Sequence, residues 1–379
     1  MGKMGPPPLD DTPELATTGA QPTDSVDART LLGVHRTSRR HRLWVLGLST
    51  ALLLAILLAV SLGAVTTPVS TIVQIIGHHT IGAPGVATWS PALDAIVWDV
   101  RLPRVLLGAV VGAGLAITGA VLQAMVRNVL ADPYLLGINS GASTGAAASI
   151  LFGIGAGMGE YALQGSAFAG ALAAAFLVYF IARGAARVTS VRLLLAGVAV
   201  GYALSALTSF LVFASGSAEG ARSVLFWLLG SLGLAAWDIP LLVVTVVVLG
   251  SAVLLIVWSR RLDALAIGDE TALTLGVSPA KLRSRLLVVV SLNVGAIVAA
   301  SGSIGFVGLV VPHLARRAVG SDHRRVLPVA ALMGATLLVL ADLAARMILR
   351  PQEIPIGIIT ALVGAPFLLV LLRRMPGAR

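Results

Sequence analysis

The chain has 379 residues, 57% hydrophobic and 12% charged, with mean hydropathy +0.94, 27 Lys and Arg against 17 Asp and Glu, 41 glycines and no cysteine. Soluble domains carry about 25% charged residues, so this composition excludes an ordinary water-soluble globule, and the lack of cysteine excludes disulfides, thiol nucleophiles and thiolate metal sites. A formal charge of +10 would suit nucleic acid only on a basic face with groove-reading or aromatic elements; here the arginines punctuate apolar runs, as the positive-inside rule requires, and no nucleic-acid partner is expected.

Residues 1–40 are rich in Pro, Thr, Asp and Gly and lack an apolar run, which predicts a disordered cytoplasmic N-terminal tail. The basic cluster Arg36, Arg39, Arg40, His41 and Arg42 then anchors the first apolar stretch. Ten candidate spans follow, at 43–65, 103–126, 140–157, 165–186, 193–214, 239–258, 286–302, 305–318, 326–348 and 356–373. About 20 residues at 1.5 Å each cross a hydrocarbon core about 30 Å thick; the segment 305–318, short and glycine-rich, is open to being a partial crossing. With the N-terminus inside, 22 of the 27 Lys and Arg lie on the inner side and only Arg101, Arg104, Arg222, Arg346 and Arg350 outside. That bias predicts both termini in the cytoplasm. The expected fold class is an all-α polytopic membrane protein, a bundle of about ten transmembrane helices over 41–375. Gly108 and Gly112, Gly137, Gly141 and Gly145, and Gly197 and Gly201 stand four apart, so each set lines one helix face and lets backbones approach closely.

Catalytic signatures are missing. The only lysines are Lys3 and Lys281 and neither follows a phosphate-loop pattern, while His78, His79, His313 and His323 have no metal-ligand spacing. Ser303 and His313 could be imagined as an intramembrane dyad, but Ser303 lies in a small-residue stretch, Ser301 to Gly305, that suits a helix break. No catalytic residue, metal or cofactor is therefore expected. Charges sit at span ends rather than at the midplane, which argues against a proton- or sodium-coupled carrier. Asp342 and Arg346, four apart, pair on one helix face. Arg101, Arg104 and Arg346 oppose the inside bias, and an outward basic patch suits an acidic partner.

The longest polar segment, the inner loop 259–285, contains Leu265, Thr271 or Ala272, and Leu275 at near-helical spacing with Gly268 and Gly276 as breaks. Two short surface helices are predicted, either simply amphipathic or acting as a lever on a separate soluble motor subunit.

Several stretches in fixed order carry a resemblance: Arg101-Leu102-Pro103-Arg104; Gly119 to Ala124; Arg127 to Pro133 with Leu136 to Ala142; Leu193 to Val198; Gly305 to His313; Ala341 to Arg346; and Glu353 to Gly357 with Thr360-Ala361. Over about residues 40–375 the chain resembles the binding-protein-dependent ABC permeases for iron-siderophore, haem and vitamin B12 uptake. Val129 departs from it, standing where the family usually has proline. The resemblance implies a vitamin B12 permease-like bundle in a bacterial cytoplasmic membrane, working as a homodimer with the path at the dimer interface. It also implies two ATP-binding subunits, an extracytoplasmic substrate-binding protein and alternating access, with no bond chemistry in this chain. It assigns ATPase coupling to Leu265, Gly268, Asp269, Glu270, Ala272, Leu275 and Gly276, and binding-protein docking to Arg101, Arg104 and Arg346, so that reversing Arg101 and Arg104 to Glu is expected to abolish docking but not assembly. An iron-siderophore complex is the first expectation for substrate, on family frequency, with haem or cobalamin as alternatives. Gln123, Asn139, Ser140 and Asn293 are candidate path-lining residues, interhelical packing being the other reading of each.

Overall fold

A computed structural model describes residues 2, 24–63, 65–184 and 189–373, and every regular element among them is helical. The chain divides into units 1–40 and 41–379. Of the first, residues 3–23, where most of the expected tail falls, lie outside the described residues. From Asp24 on the backbone is helical, Ala28, Arg29, Leu31 and Leu32 being good helix formers and extending an existing helix far easier than nucleating one.

In chain order the helices are α1 (Asp24–Ser61), α2 (Val69–Ile81), α3 (Pro91–Ala95), α4 (Leu102–Val126), α5 (Ile138–Phe152), α6 (Ala162–Arg183), α7 (Ser190–Ser215), α8 (Ala218–Leu228), α9 (Ile239–Val257), α10 (Ser259–Ile267), α11 (Asp269–Thr274), α12 (Pro279–Ser301), α13 (Val307–Val319), α14 (His323–Met347) and α15 (Ile356–Arg373). A π-helical turn, Ile96–Arg101, joins α3 to α4. The ten predicted spans fall on α1, α4, α5, α6, α7, α9, α12, α13, α14 and α15. Seven helical segments among the described residues are long and apolar enough to cross a membrane. At 13 residues with Pro312 inside, α13 is about 20 Å long, short of a full hydrocarbon core. Caps fix several boundaries: Asp238 accepts from the Leu241 N–H with Pro240 in the first turn of α9, and Asp322 accepts from the Arg324 N–H at the start of α14.

The core is built around α4, buried along almost its whole length and packed against α14, α13, α12 and α9. Close approach explains the glycine spacing. A Cβ on Gly112 would collide with the Gly334 carbonyl of α14, and one on Gly141 with the Gly170 carbonyl of α6. Without a hydrophobic drive between helices in lipid, such backbone contact supplies much of the association through van der Waals packing.

Candidate transport machinery at the two ends of the bundle

At the end where α4 begins and α14 finishes, Arg104 Nε donates to Asp342 Oδ1 at 3.0 Å and Nη1 donates to Glu353 Oε1 at 3.1 Å. On the other side Arg346 Nε lies 3.0 Å from Asp342 Oδ2, and its Nη2 donates to the Ala59 carbonyl at 3.1 Å. Arg101 is only 5% exposed. Its guanidinium donates to the Val60 carbonyl at 2.7 Å, to the Val65 carbonyl at 2.5 Å and to Thr67 Oγ1 at 3.3 Å, closing the turn after α1. The outward basic patch is therefore not an open one: Arg101 and Arg104 are buried, Arg346 nearly so, and each is engaged within the chain by carboxylates or backbone carbonyls. In apolar surroundings an unpaired guanidinium is costly, so each turns to acceptors from distant segments, which charge counting along the sequence does not see. A cavity of about 520 Å³ borders this cluster, with Arg104, Asp342, Glu353, Gln164 and Trp227 in its wall. Nearby, Trp89 Nε1 donates to Asp94 Oδ1 at 2.6 Å, His79 Nε2 lies 2.8 Å from Asp94 Oδ2, and the His79 ring stacks on Trp98 at 4.2 Å.

Within the bundle, two path candidates prove to be interhelical ties. Gln123 is buried, donates to the Leu309 carbonyl at 3.3 Å and accepts from Arg316 at 2.5 Å. Asn293, also buried, donates to Thr118 Oγ1 at 2.6 Å and the Gly114 carbonyl at 3.2 Å. These bonds are the interhelical alternative that the sequence offered for both, since a buried amide in an apolar bundle binds whichever acceptor is nearest. Asn139 is half-buried and donates to Ser303 Oγ at 3.0 Å. Ser303 is thereby engaged by Asn139, while His313 packs edge-on against Phe367 with ring centroids 6.2 Å apart, an arrangement that forms no serine dyad. Ser140 stays near the surface, its hydroxyl 3.3 Å from that of Ser205 on α7. Exposed on the same α7 face are Tyr202 and Ser209, three or four residues to either side.

At the opposite end the two short helices expected over 264–277 are α10 and α11, parted at Gly268. Leu265 and Ala272 are buried and pin these helices to the bundle, whereas Glu270, Leu275 and Gly276 are exposed. Leu265 and Ala272 therefore anchor the segment and do not present it. Ile267 and Leu273, which the sequence reading passed over, are exposed apolar residues on this segment; the signal available was an apolar side chain in an otherwise polar loop. Asp269 accepts a bidentate pair from Arg283 at 2.8 and 2.7 Å, and this bonding above all holds its carboxyl below the ordinary aspartate value, assisted by the charges of Arg283 and Arg127. Arg283, 1% exposed, also donates through Nε to the Met125 carbonyl at the end of α4, at 3.2 Å. A second tie joins α10 to α14: His323 Nδ1 lies 2.6 Å from Asp263 Oδ1, and the His323 backbone N–H donates to the same oxygen at 3.0 Å. Arg283, Asp263 and His323 were hidden in a sequence where basic residues at span ends read simply as orientation.

The FecCD transport family matches residues 51–374. The chain belongs to this family. It is 49% identical over 280 residues, 74% of either chain, to the cobalamin import system permease protein BtuC of Halobacterium salinarum. It is 39% identical over 312 residues to the hemin transport system permease protein HmuU of Yersinia pestis, covering 80% of this chain and 92% of that one. A structure described as an inward-facing conformation of a metal-chelate type ABC transporter matches with TM-score 0.76 and 34% identity, over 87% of this chain and 99% of that chain. As a FecCD permease the chain is a multi-pass transport subunit of an ABC importer, partnered by an ATPase and a substrate-binding protein, and not itself a catalytic enzyme.

Proposed function

We propose that this permease works as a homodimer that passes a bulky metal chelate, an iron-siderophore complex first among them, across the cytoplasmic membrane with both termini and α10–α11 on the cytoplasmic side. The observation that carries the dimer is the hydroxyl face formed by Tyr202, Ser205 and Ser209 of α7 with Ser140 of α5. Tyr202 is 76% exposed, and a row of hydroxyls along an apolar helix suits a second copy and a wet path better than lipid. Asn139 and Ser140 remain as path residues; Ile267, Glu270, Leu273 and Leu275 present the surface for the ATPase, with Asp269, Gly268 and Gly276 shaping it. For docking, Arg104 keeps a role through exchange: an acidic residue of the binding protein displaces the half-exposed Glu353, while Arg101 and Arg346 hold the surrounding backbone.

Cobalamin is the second reading, favoured by the 49% identity to a permease named for it. Uptake of radiolabelled ferric siderophore, haem and cobalamin by cells with and without the chain, with ATP depleted in parallel, separates the substrates. ATP-dependent loss of siderophore uptake alone supports the first reading, loss of cobalamin uptake alone the second, and uptake collapsing with the proton gradient but insensitive to ATP overturns both. The sequence has no cysteine, so a single Ser209→Cys chain has one thiol. An oxidant-dependent dimer supports the interface, and a thiol that reacts only with a lipid-phase reagent refutes it.

A further inference from the structure

We propose that His323 and Asp263 are positioning residues that make α4 and α14 one rigid strut, carrying movement of α10–α11 to the Arg104 cluster at the opposite end. This rests on the importer reading above. Three links close a ring. His323, the first residue of α14, gives both its ring Nδ1 and its backbone N–H to one oxygen of Asp263 on α10, at 2.6 and 3.0 Å, which fixes the position and the orientation of the first turn. Arg283 joins Asp269 of α11 to the Met125 carbonyl at the finish of α4. Arg104 on the first turn of α4 then grips Asp342 near the finish of α14, with Nη2 2.9 Å from Oδ1.

Between the end links, α4 and α14 meet backbone to backbone at Gly112 and Gly334. Each helix has 25 residues and is therefore about 37 Å long. Sliding one past the other would break a charge-assisted hydrogen bond at an end or separate the glycine contact, so the pair moves as one body when α10–α11 moves. His323 is the sensitive member of the ring. It is 3% exposed and its Nε2 is buried without a hydrogen-bond partner, so the Nδ1 bond carries the hydrogen bonding of the ring, and truncating the side chain leaves the other two links standing.

The test uses the whole complex of permease, ATPase and binding protein in nanodiscs, comparing basal ATPase with ATPase stimulated by loaded binding protein. In His323→Ala the basal rate is expected within about twofold of wild type and the stimulation reduced about tenfold, the scale of a coupling free energy. His323→Asn, which restores a donor to Asp263, recovers most of the stimulation, and adding Asp263→Asn to His323→Ala lowers it no further because the amide oxygen still accepts the one bond that remains, from the backbone N–H. If His323→Ala does not assemble, His323→Phe, which keeps the ring volume and removes the Nδ1 donor, is read by the same criteria. Stimulation equal to wild type, or basal and stimulated rates falling by the same factor, overturns the proposal. A wild-type complex that the binding protein does not stimulate overturns the importer reading instead.

Discussion

Gly112 of α4 and Gly334 of α14 face each other so closely that a Cβ on either would collide with the carbonyl oxygen of the other. Gly112→Ala or Gly334→Ala must push the helices apart, and overpacking of this kind costs about 1–3 kcal/mol. Thermal unfolding of the solubilised permease should show a lower Tm for each. Gly47→Ala, at a position with open space around it, is the control and should leave Tm unchanged or slightly raised. Equal melting of all three would refute the contact.

The bond between Arg283 and Asp269 fixes a pH dependence. Since the folded carboxyl titrates below its ordinary value, the stabilisation is complete above the unfolded aspartate pKa of about 3.9 and is lost as pH falls from there through the lower folded value. Wild type should lose stability across that acid window. Asp269→Asn should begin less stable at neutral pH and lose less on acidification. Parallel pH profiles for the two proteins would contradict the assignment.

Arg104 holds two unlike carboxylates, Asp342 with its side chain 3% exposed and Glu353 at 51%. Glu353→Gln removes an exposed ion pair worth about 0–1 kcal/mol, so Tm should hardly move while the binding protein binds severalfold more tightly. Arg104→Ala leaves the buried Asp342 with Arg346 as its remaining cation, a loss below the about 3–5 kcal/mol of a fully unpaired buried charge, and should weaken folding and docking together. Binding unchanged by Glu353→Gln would remove the exchange. For the same reason, reversing Arg101 and Arg104 to Glu is no clean docking test, because both buried networks would be broken.

Leu273 and Leu275 are exposed on and just after α11. Leu273→Asp with Leu275→Asp should abolish co-purification of the ATPase subunit while leaving the permease's own melting unchanged, since neither side chain packs in the core. Undiminished co-purification would place the ATPase contact elsewhere.

The long helices were legible because apolar runs of membrane-crossing length have few other uses, and Gly268 marked the break between α10 and α11. The short α2, α3 and α8 were not, since 5 to 13 residues give too little periodicity to stand out between spans. The locations of Arg101 and Arg104 were readable from charge, but not their burial, which depends for Arg101 on the backbone after α1 and Thr67 and for Arg104 on Asp342 and Glu353, more than 200 residues away. Gln123 and Asn293 looked alike as polar residues in apolar runs; only the packed bundle reveals that their acceptors are backbone carbonyls and a threonine on neighbouring segments.

The π-helical turn Ile96–Arg101 adds a residue to the helical path just before α4, and one extra residue advances the side-chain phase by about 100° relative to a continuous α-helix. The insertion lies before α4, so it sets the phase of Asp94, which meets Trp89 and His79, against that of Arg104, which meets α14. The chain thereby mounts an acid and a base, separately aimed, on one continuous rod, and deleting one residue from this turn would swing the Asp94 cluster around the rod while leaving α4 itself in place.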